Sequence, residues 1–571
     1  MNDQVLVLSR IKSIVGIVGL WVLTMSYVLA QPDSVVITGR VLNLTAALYR
    51  QAPAITFTRN NILQPQSELT RQAPLQADGS FRVTMPLIYP QEEVYLDYGG
   101  KVYTTFLAAP GKLQLSFDAD SMYKAKRLFY FSGVNAEANN KYMQYVMEED
   151  RIMKANKRYG ENFFETFWNL DSFDAVKALD QRVSLRLSVL KNLFQQVAVP
   201  PQLQQWVVAI IADEKRSALF EHALVNGTTA DRDALGGLPE LTNDILTFQR
   251  VQWMVRVGDY ADRLIERKAY QFPTKSKALK VETMAELIKK YVPLLSAEET
   301  ARLNTMIQEG SANTAGLEFL NTLYGRNRQT LNLITQFEKE NNAYIDEFST
   351  AITDLLAARW LVQRFYRLSL SEQNLLYAHI REKIEKPVVK NSLDELYRLE
   401  VKDSTYIRLI EKRTDLNASP TEVLSGIWLA ESAASGKYAL DQVEELYKGK
   451  TLYVIKWNLF DDDSRNEILY APALRAQLST DVEFLYIHLP NTDVNDNSAL
   501  WKKFIVRNKL KGVHLYLTDD QVVQLLFRLN PLAYPSFGIM KPNGKYASRN
   551  APPPSQGQAA AQAILKVREG R

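Results

Sequence analysis

The sequence predicts a multidomain α+β protein, in which an N-terminal antiparallel β-sandwich, a central all-α domain and a C-terminal α/β domain follow one another. Apolar and polar residues alternate up to about residue 135, with turn residues between the runs, which is typical of half-buried strands. Long amphipathic stretches at helical spacing follow, up to about residue 438. Strand-like and helix-like runs then take turns, which indicates a parallel sheet with crossover helices.

The composition allows several cores and argues against one class of partner. With 571 residues, 46% of them hydrophobic, the chain is too long for one ordinary domain and apolar enough to fold as several. Its 68 lysines and arginines nearly balance its 64 acidic residues, and the basic residues do not gather in runs. No nucleic-acid partner is therefore predicted. The chain contains no cysteine, so its stability cannot depend on disulfides.

Residues 1–30 have the pattern of an export signal peptide. Arg10 and Lys12 precede an apolar run from Ser13 to Ala30, and cleavage is expected after Ala30. The run is near the length of about 18 residues at which a membrane span is feasible, so an uncleaved anchor is the alternative. The cleaved protein is expected in the periplasm or cell envelope, and membrane contact is expected only if the segment is retained.

Residues 31–135 are predicted to form the β-sandwich. Two sets of apolar residues alternate with polar ones after turns: Phe81, Val83 and Met85, and then Leu113, Leu115 and Phe117. Gly99 and Gly100 separate two further strand-like runs, as in a hairpin turn. No group of residues in this region points to a chemical reaction.

Residues 136–438 are predicted to form the helical domain. Its breaks fall at prolines and glycines, among them Pro200–Pro201, Gly310 and Pro387. Pro420 is placed to open a further helix after Ser419. The sequence shows no repeat of fixed period, so the packing of the helices is not predicted.

Residues 439–571 are predicted to form the α/β domain. Strands are expected at Thr451–Trp457, Val482–Leu489 and Val513–Leu517, with a final hairpin from Ser536–Met540 and Lys545–Ala547. Helices are expected at Ser464–Leu478 with a kink at Pro472, from Asn497 or Ser498, after the cap Thr518, and after Ser555. In the second of these helices Leu500, Trp501 and Phe504 should face the core, and Lys502, Lys503 and Arg507 should face water.

Four short motifs in this region occur in the order found in thioredoxin-fold proteins. They are Lys448–Lys450 before the first strand, the turn Phe460–Glu467, Trp501–Phe504 with Leu510–His514, and Tyr534–Met540 with Asn543–Lys545. On these motifs, residues 440–565 resemble the TlpA/ResA-like exported branch of the AhpC/TSA-thioredoxin superfamily. A weaker resemblance links residues 77–140 to the β-rich domain that often precedes such domains. The resemblance implies a thioredoxin-like fold for residues 439–571.

The resemblance places the family's Trp-Cys-x-x-Cys-Arg turn at Phe460–Arg465. In that register Asp461 and Ser464 occupy the two cysteine positions. Counting back from the helix proline, Pro472, instead selects Ser464 and Glu467, so two registers are open. Neither supplies a thiolate for disulfide exchange, so the chain is predicted to be a pseudo-oxidoreductase without catalytic residues.

The resemblance also implies a groove that binds an extended peptide beside a cis proline at Pro535. The candidate groove residues are Trp457, Phe460, Asp462, Asp463, Tyr534 and Pro535. Considered by themselves, Asp461–Asp463 are interpreted as a helix N-terminus, where carboxylates accept backbone N–H bonds. A cation site is the alternative, although no second group of ligands accompanies these three carboxylates.

The four histidines indicate neither a catalytic nor a zinc site. His488 and His514 lie in predicted strands and are interpreted as packed residues, so neither is expected to activate Ser464. His222 and His379 lie in helical stretches without pair spacing or an acidic partner. No metal or cofactor is therefore predicted.

Two hypotheses about function follow. The first is a non-catalytic envelope protein that binds a protein or peptide partner, because the scaffold motifs persist without the nucleophile. The alternative is an enzyme of another class that uses acidic residues or histidines in an interdomain cleft, or a thioredoxin-family activity that does not depend on cysteine. No set of residues supports a named reaction.

Overall fold

A computed structural model describes residues 34–570. It leaves out the stretches 64–68, 101, 120–128, 157, 161, 196–198, 229–244, 272–278, 403, 412, 414–415, 418, 432–434, 491–497 and 531. The predicted signal segment 1–30 lies outside the described residues. The protein is mixed α/β and has two compact units: the first runs to Val362 and includes Leu376–Leu396, and the second comprises Gln363–Leu375 and the chain from Tyr397 onward.

The first unit begins with two β-sheets that share one core. The strands are β1 Ser34–Leu42, β2 Ala54–Arg59, β3 Thr70–Pro74, β4 Ser80–Pro86, β5 Gln91–Tyr98, β6 Val102–Ala108, β7 Gly111–Asp118 and β8 Phe129–Gly133, with helix α1 Ala46–Gln51 after β1. One sheet has the order β4-β1-β7-β8 and the other β3-β2-β5-β6. All eight strands contribute to the core between the sheets, so this part is a sandwich.

The prediction of a purely antiparallel sandwich is wrong in one pairing. The alternations in β4 and β7 and the turn between β5 and β6 are confirmed, but β1 and β7 pair in parallel, from Val35 opposite Gly111 to Leu42 opposite Asp118. Between β1 and β7 the chain also forms strands of the other sheet, so a long connection joins these two neighbours. A hairpin forces its two strands to be antiparallel, whereas a long connection allows either direction. Alternation reveals which face is buried, and it carries no information on strand direction.

Helices make up most of the rest of the first unit. They are α2 Ala136–Ala155, α3 Phe163–Phe167, α4 Ser172–Leu193, α5 Pro201–Asn226, α6 Phe248–Gln271, α7 Val281–Tyr291, α8 Ala297–Glu309, α9 Thr314–Arg326, α10 Arg328–Glu347 and α11 Thr350–Val362, with the parts of α12 Leu370–Lys383 and α13 Pro387–Glu400 that lie between Leu376 and Leu396. Helix α5 starts at Pro201, and Gly310 ends α8 with a φ of 64°, as the breaks in the sequence predict. A two-residue strand, β9 Ile245–Leu246, pairs with β5.

Buried polar side chains join the sandwich to these helices within the first unit. Asn139 on α2 accepts a hydrogen bond from the Leu107 N–H at 2.7 Å and donates to the Leu107 carbonyl at 3.1 Å. Glu93 on β5 accepts from the Trp206 indole N–H at 2.6 Å and from the Phe248 N–H, at the start of α6, at 2.5 Å. Because buried polar groups cost free energy unless they are paired, these contacts fix how the helices pack on the sheet.

The second unit contains a seven-stranded mixed sheet. Its strands are β10 Thr421–Leu424, β11 Ile427–Glu431, β12 Thr451–Trp457, β13 Val482–His488, β14 Gly512–Tyr516, β15 Ser536–Met540 and β16 Tyr546–Ser548. The order is β10-β11-β14-β13-β12-β15-β16. Strands β11, β14, β13 and β12 are mutually parallel, and β15 runs antiparallel to β12. The predicted core strands and the final hairpin are therefore confirmed.

Helices cover both faces of this sheet. They are α14 Ser404–Glu411, α15 Gly436–Leu446, α16 Asp462–Ile468, α17 Ala471–Arg475, α18 Ser498–Arg507, α19 Asp519–Gln524, α20 Leu526–Leu529 and α21 Gly557–Arg568. Alternate residues of β12 enter separate cores: Tyr453, Ile455 and Trp457 lie on one face, and Leu452 and Val454 on the other. No helix among the described residues is long and apolar enough to cross a membrane.

The prediction of a helix after Pro420 is wrong. The chain there forms the antiparallel hairpin β10–β11, in which Thr421 pairs with Leu429. The turn is made at Gly426, whose φ of 78° suits glycine, and the flanking residues include threonine, valine and isoleucine, which favour strands. A proline at the first position of a helix and a proline before an edge strand look alike in sequence.

The prediction that Lys502 and Lys503 face water is also wrong, because both side chains are buried. The Lys503 ammonium donates to the carbonyls of Phe365 and Leu368, each at 2.7 Å, and lies 3.0 Å from Glu400. Lys502 pairs with the Glu431 carboxylate at 2.6 Å. The segments that contain Phe365, Leu368, Glu400 and Glu431 thus cover the side of α18 that its amphipathic pattern predicts to face water.

Candidate functional site

Several turns of the second unit meet at one edge of its sheet. Because β12 and β14 are parallel, the segments after their last residues, Trp457 and Tyr516, lie at the same edge. Strand β15 is antiparallel to β12, so its start at Ser536 also lies there. We call this the carboxyl edge. It is where side chains that follow parallel strands gather, and it brings the Asp461–Ser464 turn and Pro535 to one side of the sheet.

Trp457 supports this edge from inside and does not line its surface. Its side chain is fully buried, with the ring centroid 5.5 Å from that of His488 and 5.5 Å from that of Phe504. Since alternate residues of β12 face opposite sides, Trp457 follows Tyr453 and Ile455 into the core. The prediction that Trp457 lines the candidate groove is therefore wrong.

The backbone after Trp457 is held by buried polar contacts. The Asn458 amide donates to the Leu489 carbonyl at 2.6 Å, and its side-chain oxygen accepts from the Phe460 N–H at 2.7 Å. The Leu459 N–H donates to Nε2 of His488 at 3.2 Å. The turn is thus tied to β13 and to the end of that strand at two points.

Asp461 and Ser464 begin helix α16. Asp461 is its N-cap, and its carboxylate accepts from the Ser464 N–H at 2.7 Å, which confirms the interpretation of this turn as a capped helix start. Ser464 is buried and its hydroxyl accepts from the Asn458 N–H at 3.3 Å. Nε2 of His488 already accepts the Leu459 N–H, so this nitrogen does not serve as a base for Ser464.

Two carboxylates and an aromatic ring remain accessible at this turn. Asp462 and Asp463 are exposed, and Asp462 forms an ion pair with Arg465. The Arg465 guanidinium also lies 3.6 Å from the centre of the Tyr366 ring, and that ring is 6.5 Å from the ring of half-buried Phe460. The segment around Tyr366 therefore covers one side of the turn, while its acidic side stays open.

The Tyr534–Pro535 bond is cis, as the resemblance implies. Lys456 pairs with Ser536 across β12 and β15, so continuing the register by one residue sets Pro535 opposite Trp457. Tyr534 and Pro535 are both partly exposed. Five of the six candidate groove residues thus lie at the carboxyl edge with accessible surface: Phe460, Asp462, Asp463, Tyr534 and Pro535.

Lys456 is a residue at this edge that the sequence reasoning missed. It is buried, and its ammonium donates to the Leu529 carbonyl at 2.7 Å, at the end of α20. Burial, helped by nearby Arg549, lowers the pKa of Lys456 to about 8. In the sequence, Lys456 is the one charged residue within the largely apolar strand β12, which is the feature that could have indicated a buried lysine. Lys456 ties α20 to the sheet.

His488 and His514 lie in a stack of rings on the buried face of β13 and β14. Tyr486 stacks on His514 with centroids 4.3 Å apart, and His488 stacks on Tyr516 at 4.8 Å, each pair directly opposite across the strands. Burial lowers the pKa of both histidines to about 3. The interpretation of both as packed strand residues is confirmed.

Because these two histidines are buried in their neutral form, we expect the free energy of unfolding to fall in mild acid. In the unfolded chain each binds a proton below pH 6.5, whereas the folded chain resists protonation down to about pH 3. The free energy of unfolding should therefore fall as pH drops below about 6.5, by up to about 1.4 kcal/mol per pH unit for each histidine. Urea melts of the wild type and of His514→Phe between pH 5 and 7 test this, because the variant should lose about half of that slope. An unchanged slope would contradict the assignment.

The prediction that His379 lacks an acidic partner is wrong. Within the first unit, His379 Nε2 lies 2.5 Å from the Glu338 carboxylate, and the Tyr291 hydroxyl lies 2.7 Å from His379 Nδ1. The ammonium of Lys383 is 2.9 Å from Glu338. Glu338 lies on α10 and Tyr291 on α7, whereas His379 and Lys383 share α12. Residue spacing in the sequence does not reveal contacts between separate helices. Burial raises the pKa of Tyr291, so the phenol stays protonated and the cluster stabilises helix packing.

No protein-family model matches the chain, and no curated protein gives a significant match. Among solved structures, the thioredoxin domain of a thiol-disulfide oxidoreductase from Bacteroides vulgatus is similar at 19% identity, with 21% of this chain and 81% of that chain covered and a TM-score of 0.19. A thiol:disulfide interchange protein from Bacteroides sp. is similar at 18% identity, with 23% and 82% covered and a TM-score of 0.18. Part of this chain is thus similar to thioredoxin domains, and scores this low carry no further argument.

Proposed function

We propose that this protein is a non-catalytic, thioredoxin-like member of the TlpA/ResA-like branch that binds a protein or peptide partner in the cell envelope. The observation that carries the proposal is a carboxyl edge that is fully built and accessible but has no thiol. Asp461 caps the helix at the position that the resemblance gives to the nucleophile, and Pro535 is cis at the same edge of the sheet. With no cysteine anywhere in the chain, its own residues cannot exchange disulfides.

The surface chemistry of the edge supports binding to a polypeptide. Phe460 and Tyr534 offer partly exposed aromatic rings, which contribute large contact area at little cost in side-chain entropy. Asp463 adds negative charge at the same edge, whereas the charge of Asp462 is met by Arg465. Export to the envelope is part of the proposal and rests on the signal-like pattern of residues 1–30.

Site-specific photo-crosslinking tests this proposal. A benzoylphenylalanine placed at Asp463, which is exposed, should form an adduct with one partner in an envelope extract, and excess unlabelled wild-type protein should suppress that adduct. The matched control is the same probe at Lys541, which is also exposed but follows β15 at the opposite end of that strand. Equal adducts at both positions, or none at Asp463, would contradict binding at the carboxyl edge.

An enzymatic assay tests the negative half of the proposal. In an insulin-reduction assay the wild-type chain should give no turnover above that of buffer with reductant alone. Turnover that scales with protein concentration would require a chemistry that the chain's residues do not provide, and would replace the proposal with the enzyme hypothesis.

A further inference from the structure

Three apolar side chains near the carboxyl edge are strongly exposed together. The exposed fractions are 71% for Val523, 44% for Leu526 and 89% for Phe527. Spacings of three and four residues put them on one side of the helical stretch formed by α19 and α20. We call this group the apolar face. Single exposed apolar residues are common, but a cluster on one helical surface marks an interaction site.

The apolar face is held in place by the rest of the unit. Thr518 and Gln521 form a capping box at the start of α19, and buried Leu525 and Leu529 anchor the opposite side. At the far end, Arg549 donates to the Asn530 carbonyl at 2.6 Å, and Lys456 donates to the carbonyl of Leu529. The exposed side chains are therefore presented by a fixed backbone, which lowers the entropy cost of binding.

Acidic groups flank the apolar face at its N-terminal end. Asp519 and Asp520 precede Val523 by four and three residues, so they lie on the same side of the helix, and both are exposed. The structure shows no ion pair for either one among the described residues. The nearby cation Arg528 is engaged by Asp441 at 2.7 Å and by Glu444. The Arg549 guanidinium lies at the other end of the face, against the carbonyls of Phe527 and Asn530. The surface thus has an apolar centre, an acidic N-terminal end and one arginine at its C-terminal end.

We propose that the apolar face binds a partner segment that is amphipathic and basic, with apolar side chains on one face and lysines or arginines at one end. Charge complementarity selects this occupant. Asp519 and Asp520 would repel an anionic membrane surface, and a dimer formed through the same face is an outcome that the tests below distinguish. The inference rests on the proposed function, for which it specifies the partner's chemistry.

A designed peptide tests the inference. The probe is a fluorescein-labelled amphipathic helix of leucine and lysine, about 18 residues and about five turns long. Fluorescence anisotropy with the full chain should show saturable binding that weakens with added salt. The matched peptide with glutamate in place of lysine should bind at least about tenfold more weakly.

Variants locate the peptide on the protein. Phe527→Ser should weaken binding about tenfold or more, and Asp519→Lys with Asp520→Lys should reverse the peptide preference. Tyr470→Ser is the matched control, because Tyr470 is 53% exposed and lies on the separate segment between α16 and α17. Thermal melts should be unchanged in Phe527→Ser, since its side chain makes little contact with the fold.

Several results would overturn the inference. Equal binding of both peptides would leave only non-specific hydrophobic attraction, and unchanged binding by Phe527→Ser would place the peptide elsewhere. A wild type that is dimeric in solution and becomes monomeric in Phe527→Ser would identify a second copy as the occupant. If crosslinking at Asp463 succeeds while these peptide results fail, the proposed function stands and only the partner's chemistry is wrong.

Discussion

Replacing Glu400 with alanine is expected to lower the free energy of unfolding of the second unit by about 3–5 kcal/mol. The Glu400 carboxylate is buried, lies 3.0 Å from the Lys503 ammonium and also pairs with Arg507. Burial disfavours its ionised form, but Arg507 and Lys503 outweigh that effect and hold the pKa of Glu400 below its usual value. Removing the carboxylate would leave Lys503 buried and without its counter-ion, which is the costly way to break a buried pair.

Urea denaturation followed by tryptophan fluorescence measures this change. The matched control is Glu445→Ala, because Glu445 pairs with Lys448 at 3.5 Å while both side chains are 74% exposed. Exposed pairs of this kind contribute little, so the control should change stability by less than about 0.5 kcal/mol. A loss below about 1 kcal/mol for Glu400→Ala would show that the cluster around Lys503 is not the stabilising contact described above.

Local sequence patterns predicted the elements of the second unit because periodicity, caps and turns are local properties. Thr518 was predicted as a cap and forms a capping box, and the predicted kink at Pro472 separates α16 from α17. Lys502 and Lys503 show the limit of this reasoning. A lysine on the polar side of an amphipathic helix is normally solvated, and only tertiary contacts with Glu431, Glu400 and backbone carbonyls reveal that these two are not.

The candidate site was predicted from the family resemblance more than from the residues. The cis bond at Pro535 and the helix start at Asp461 follow from the position of the motifs, and both are present. The contact of Tyr366 with Arg465 was not predictable, because these residues are about a hundred positions apart and neither has a distinctive neighbourhood. The role of Trp457 was misjudged because a motif position does not say which face of the strand is open.

Restoring two cysteines is the second change with a large expected effect. The double variant Asp461→Cys with Ser464→Cys should form an internal disulfide and gain thiol-disulfide exchange activity that the wild type lacks. Asp461 is the N-cap and its side chain folds back to the Ser464 N–H at 2.7 Å, so the two side chains are close enough for a bond after a small adjustment. The helix N-terminus should favour the thiolate at position 461, although Asp462 and Asp463 oppose it.

The alternative register provides the matched control. Ser464→Cys with Glu467→Cys has the same spacing, but it leaves the N-cap position 461 without a thiol, since Ser464 is the third residue of α16 and Glu467 the sixth. Glu467 moreover accepts the Ser555 N–H at 3.2 Å, a contact that the substitution removes. This variant is expected to contain two thiols and to lack exchange activity, because neither thiol is at the N-cap, where the helix N-terminus most favours a thiolate.

The insulin-reduction rate of these two variants, measured beside the wild type, tests the central claim most directly. The claim is that the second unit keeps the carboxyl edge of a thioredoxin-type site, with Asp461 and Ser464 at the positions of the two thiols. It predicts dithiothreitol-dependent turnover for the Asp461→Cys, Ser464→Cys variant and none for the wild type or the control. A folded Asp461→Cys, Ser464→Cys variant that shows no turnover, or equal turnover by the Ser464→Cys, Glu467→Cys variant, would contradict it.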